Sequence, residues 1–98
     1  NAELQALYTQ LVATGTLSLV DGLKVAVAIE ELDMLDINHH LKTVDNQDIR
    51  LVYDNLLKGS RNHLRSFVKN LDKQGVTYQP QYLSAEAYNA IISTPTER

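Results

Sequence analysis

Residues 19–42 read LVDGLKVAVAIEELDMLDINHHLK. Within them Val20, Leu23, Val27, Glu30, Met34, Ile37 and Leu41 alternate three and four apart, the spacing that lines one face of an α-helix. A seam of this kind packs against other helices in a bundle. All its members are apolar except Glu30. Ser18 is placed to cap the start, with Asp21 three residues on, close to a capping box. The stretch predicts a long helix over about 19–42, with a carboxylate set into its apolar side.

Downstream, Ile49, Tyr53, Leu56, Ser60, Leu64, Phe67 and Leu71 form a second stripe, widened by Leu57 and Val68. It predicts a helix over about 46–73, capped by Asp45, with Asp48 in the first turn where the helix dipole favours negative charge. His63 sits beside this stripe, one turn from Ser60 and from Phe67. Gly59 falls mid-helix, which costs about 1 kcal/mol relative to alanine; the close passage of a neighbouring helix would account for it. Only Thr43–Asp45 separate the two helices, so they form an antiparallel hairpin with arms roughly 35–40 Å long.

The flanks are shorter. Leu4, Leu7, Tyr8, Leu11 and Val12 predict a helix over about 2–13, capped by Asn1 and stopped at Gly15. Gly75 ends the third helix. Val76 to Leu83, which contains Pro80, reads as an extended segment laid over the bundle. Ser84 caps a short helix over about 85–92, with Tyr88, Ile91 and Ile92 facing inward. Residues 93–98 read as a frayed tail. The hairpin has more apolar surface than these short elements can cover, so a partner is expected: a second copy of the chain or an absent helical pair.

Composition narrows the function by exclusion. Ninety-eight residues make one domain, and 44% hydrophobic content is that of a globular chain. A net charge of -3 argues against nucleic acid as a main partner. Without cysteine there is no disulfide, thiolate zinc site or cysteine nucleophile. No apolar run approaches the roughly 18 residues of a membrane span. Glycine-rich phosphate loops and nucleophile elbows are missing too. The chain begins at Asn1, with neither methionine nor a secretory signal, and is expected to be a piece of a longer protein or to have lost an N-terminal part.

Chemistry therefore rests on a few polar residues. A seam carboxylate such as Glu30 must be paired, protonated, metal-bound or at a seam edge. Glu31 follows it but lies about 100° round the helix, while Asp33 is one turn on. His63 is either a core histidine or a partner for Glu30. Glu30 precedes the turn by about 14 residues and His63 follows it by about 19. That mismatch, roughly 7–8 Å along the axis, allows a contact only with an offset. Asp36 and His40, four apart, can form a surface metal clip. Tyr53 reads most simply as core.

Three segments carry a family resemblance: GLKVAVAIEELD at 22–33, NLLKGSRNHLRSF at 55–67 and GVTYQPQYLS at 75–84. In this order they resemble an uncharacterised prokaryotic family within the ferritin-like, rubrerythrin-related superfamily, over nearly the whole chain. The resemblance implies an all-α, ferritin-like four-helix bundle. Of this bundle residues 1–92 would supply the second long antiparallel pair with its short flanking helices. In ferritin-like carboxylate proteins each pair provides a Glu and a Glu-x-x-His. Glu30 fits the single Glu and His63 the His, but Ser60 stands where the second Glu belongs. The implied function is metal binding for redox chemistry or metal handling. Glu30 and His63 would be ligands, and Glu31, Asp33, Ser60 and Tyr53 the groups placed to orient them. The implied cofactor is iron, dinuclear or mononuclear, or no metal in this shortened form. The implied partner is the missing N-terminal helical pair or a second copy in a homodimer. The alternative is a metal-free helical interaction domain that kept the scaffold.

Overall fold

The structure, a computed structural model, describes residues 2–15 and 18–98, the side chains of 11–15 excepted. The expected cap at Asn1 and the inward-facing Leu11 and Val12 lie outside the described residues. Four helices make up the regular structure among them: α1 (Ala2–Gly15), α2 (Leu19–Leu41), α3 (Gln47–Lys73) and α4 (Ala85–Ile92). The fold is all-α, with no strand in the described residues.

Each boundary has a chemical cause. The Ser18 hydroxyl accepts from the Asp21 N–H at 3.0 Å, satisfying an orphan donor at the start of α2. At α3 the cap is Asn46, not Asp45; its side-chain oxygen accepts from the Asp48 N–H at 2.9 Å and the Ile49 N–H at 3.2 Å. Both residue types cap well, and the one-residue choice is made by how the turn closes. Arg50 fixes that turn by donating to the carbonyls of Leu41 and Val44 at 3.0 and 3.1 Å. Leu41 ends α2, and its carbonyl is among those freed there, where positive charge is also favoured. At the far end of α3, Gly75 takes φ +74°. Val76 N–H bonds back to the Leu71 carbonyl and Gly75 N–H to that of Asp72, each at 3.0 Å. That is a Schellman stop, and the left-handed residue it needs is glycine.

The core lies between α2 and α3. Val27 and Met34 pack against Leu57, Leu64, Val68 and Leu71, and Tyr78 and Tyr88 close one side. Burying a side chain of this size contributes roughly 1.5–3 kcal/mol. α1 packs on α2, and α4 on α3. The molecule measures 42 × 34 × 21 Å, so in its thinnest direction it is about two helix diameters deep. Part of the hairpin is left uncovered: Ile49, Val52 and Leu56, at one helical face of α3, are 46%, 56% and 51% exposed. Leu35 of α2 is exposed as well.

Ile92 does not face inward with Tyr88 and Ile91; it is 39% exposed. Two further expectations need correction. No neighbouring helix approaches Gly59; a Cβ placed there would meet no atom within 4 Å. And residues 93–98 are not a frayed tail. Glu97 is bonded to Arg61, Asn62 and Arg65 of α3, at distances between 2.6 and 2.9 Å.

The two guanidinium groups hold the Glu97 carboxyl down, from its ordinary 4.5 to about 2. A depressed carboxyl stabilises its docked form above its ordinary range and loses that contribution as pH falls through the lowered value. The tail is therefore expected to stay docked at neutral pH and to be released between about pH 4.5 and 2. Exchange of the Glu97 amide, which bonds to the Asn62 side chain, measures this, and protection unchanged at pH 2 would contradict it. Gly59→Ala is expected to raise stability by about 0.5–1 kcal/mol in urea unfolding, because the helix gains propensity and the new methyl group meets open space.

Candidate functional site

Two successive glutamates of α2 have separate surroundings. Glu31 is fully buried. Its carboxylate accepts the Tyr78 hydroxyl at 2.6 Å and the backbone N–H groups of Gln81 (3.1 Å), Tyr82 (3.1 Å) and Leu83 (3.0 Å). The extended segment around Pro80 has no helix or strand to satisfy these donors, so the carboxylate does. Hydrogen bonds to a carboxylate are among the strong ones. Burial pushes the Tyr78 phenol up, and donation to Glu31 adds to the effect. Tyr88, against Tyr78 with ring centroids 5.9 Å apart, is pushed up to about 12, by burial first and then by the charge of Glu31. Glu31 is thus a clasp between α2 and the chain fifty residues further on. Sequence reasoning gave it only an orienting role. The usable signal was its spacing, four after Val27 and three before Met34, on the core side of the helix.

Glu30 faces elsewhere. Its side chain is 13% exposed, and its Oε1 lies 3.6 Å from Nδ1 of His63, which is 66% exposed. The offset that the sequence demanded for this meeting is realised across the hairpin. Oε2 of Glu30 is buried with no hydrogen-bond partner. Burial raises the Glu30 carboxyl and the charge of Asp33 adds to this, while His63 and Ser60 pull it back. Ser60 itself is buried in α3, one turn before His63.

The remaining candidates divide. Asp33 adjoins Glu30 but is engaged by α1, accepting a short hydrogen bond from the Tyr8 hydroxyl. Burial and Asp33 together push the Tyr8 phenol up. Tyr53 lies two turns toward the hairpin end, beside His40, with ring centroids 6.3 Å apart. Asp36 and His40 do approach, at 3.6 Å, with both side chains about half exposed. Among the described residues no group of three or more His, Asp or Glu is arranged to hold a metal ion. What the hairpin assembles is one carboxylate and one imidazole, with the Ser60 side chain close enough to lower the carboxyl and one carboxylate oxygen, Oε2, without a hydrogen bond.

Residues 1–95 match a family described as an uncharacterized protein domain, DUF2202. The chain belongs to this family. It is 50% identical over all 98 residues to the uncharacterized protein MJ0754 of Methanocaldococcus jannaschii. The crystal structure of the hypothetical protein MJ0754 matches 99% of the chain with a TM-score of 0.90 at 49% identity. The chain covers 53% of that protein's sequence and 55% of the crystallised chain, so it spans about half the length of the relatives it matches.

Removing the clasp strands one buried hydroxyl and three amides. Glu31→Ala is expected to cost about 3–5 kcal/mol and Tyr78→Phe about 1 kcal/mol, both read from urea unfolding. A Glu31→Ala chain as stable as its parent would show that the segment is held by something else.

Proposed function

We propose that the intact protein is a ferritin-like helical bundle to which this chain gives one antiparallel pair. In that reading Glu30 and His63 are two ligands of a metal ion in the bundle, with iron the favoured metal. The observation that carries it is the buried, unpartnered Oε2 of Glu30, whose other oxygen, Oε1, lies 3.6 Å from Nδ1 of His63. Leaving such an atom unsatisfied is costly, and a cation is one way to satisfy it. One carboxylate and one imidazole suit iron chemically.

Two donors do not complete a coordination sphere, so the others must come from outside the hairpin. Two features support that. The exposed Ile49, Val52 and Leu56 lie on the same side of α3 as His63, seven and fourteen residues apart from Ile49 through Leu56 to His63. The relatives are about twice as long, room enough for a second helical pair. With Ser60 in place of a carboxylate, a mononuclear centre is favoured over a dinuclear one. The role that follows is redox chemistry or metal handling.

The second reading is a metal-free helical domain that kept the scaffold. It is favoured by Ser60 and by Asp33, whose carboxylate already serves α1 through Tyr8.

Iron(II) loading of the intact protein, desalting and metal analysis decide between them. Bound iron is expected in the parent, with loss in Glu30→Ala and in His63→Ala, and a chelator is expected to lower the Tm. Iron at background in the parent, or unchanged in both variants, would overturn the metal reading. A Tm indifferent to chelator would favour the second.

A further inference from the structure

Away from the Glu30–His63 contact, a second polar cluster forms where α4 ends against α3. Arg61, Asn62 and Arg65 project within about 100° of one another on α3. They grip Glu97 in two different ways. Asn62 reads its main chain: Nδ2 donates to the Glu97 carbonyl at 2.9 Å, and Oδ1 accepts the Glu97 N–H at 2.9 Å. The arginines read its side chain. Arg61 donates through Nε and Nη2 to the two carboxylate oxygens at 2.6 and 2.7 Å, a fork-on-fork pairing, and Arg65 Nη1 adds a third bond at 2.9 Å.

Part of the grip is held by groups other than Glu97. Arg65 is held in place by three groups other than Glu97: the Ile91 carbonyl at 2.9 Å, the Asn62 side-chain oxygen at 2.8 Å and the Thr94 hydroxyl at 2.8 Å. Two of these, the Ile91 carbonyl and the Asn62 oxygen, lie outside residues 93–98 and would still aim the guanidinium with the carboxylate gone, which lowers the ordering that binding must supply. What the cluster recognises is general: the N–H and C=O of one residue together with the carboxylate of its side chain.

We propose that Arg61, Asn62 and Arg65 form a docking nook for an extended protein segment carrying a glutamate, and that the chain's own Glu97 fills it in cis. Only four residues separate α4 from Glu97, so the tail competes at a high effective concentration, of order millimolar for a short tether. The tail is then a built-in competitor, and a partner segment docks when it is displaced. The proposal is independent of the metal reading.

The test uses the full 98-residue chain and a peptide with the sequence of residues 94–98, Thr-Pro-Thr-Glu-Arg, followed by NMR of the Asn62 side-chain amide and the arginine Nε–H signals. Glu97→Ala is expected to bind the peptide through these groups, and the unaltered chain about ten-fold more weakly. Replacing the peptide's glutamate by glutamine, or adding Arg61→Ala to the Glu97→Ala chain, is expected to abolish binding. Circular dichroism shows that each variant keeps its helices. Absence of binding by a folded Glu97→Ala chain at millimolar peptide would overturn the nook, as would equal binding of the glutamate and glutamine peptides. Equal binding by the unaltered and Glu97→Ala chains would overturn the cis competition.

Discussion

A single buried carboxylate ties together parts of the chain that share no regular structure. The segment after Gly75 contains Pro80 and forms neither helix nor strand, yet it must cross the side of α2 with its amides turned inward. Unsatisfied, those amides would each cost about 1–3 kcal/mol. Glu31 accepts three of them and the Tyr78 hydroxyl as well. Tyr78 then stacks near Tyr88, which places α4 over Val68 and Leu71. The clasp thus sets where α4 begins, and through α4 where the tail can reach α3.

The same residue explains why the neighbouring glutamate is free for other work. Helical geometry turns Glu30 away from Glu31 by about 100°, so adjacent carboxylates serve opposite purposes. Glu31 has all its bonding capacity engaged inside the fold. Glu30 keeps one oxygen near His63 and has the other buried without a partner. An architecture that satisfies its polar groups so fully at position 31 makes the exception at position 30 informative. Its neighbour His63 lies on the same helical face of α3 as Ile49, Val52 and Leu56, which are also left uncovered.

Much of the scaffold was legible in the sequence because it follows from local chemistry. The seam through Val27 and Met34, the Ser18 and Ser84 caps and the Gly75 stop are each decided within a few residues, and each is realised. The meeting of Glu30 with His63 was legible as a distance along two rods, though not as a certainty, because the turn sets the offset. What stayed hidden depends on which distant segment covers a given face. Periodicity places Glu31 on the core side of α2 but cannot say that residues 78–83 lie there. Nor can composition show that a polar tail ends on two arginines. Gly59 misled for the converse reason: a residue with no side chain suggests a close neighbour, and none of the described residues comes near it.

These features divide the molecule into a finished side and an unfinished one. On the finished side, the Glu31 clasp, the tyrosine pair and the Glu97 grip leave few donors unpaired, and the chain satisfies itself. On the other lie Ile49, Val52 and Leu56 of α3, a glycine open to space, an exposed imidazole and a carboxylate oxygen with no partner. Taken singly, each is unremarkable on a protein surface. Gathered along one side of one hairpin, in a family whose member MJ0754 is about twice as long, they are what the proposed second helical layer would account for. Such a layer would cover the apolar stripe, meet Gly59 closely and bring polar groups to Oε2 of Glu30. In the proposed assembly the cost of that buried, unpaired oxygen would be met by the added groups rather than by the hairpin alone.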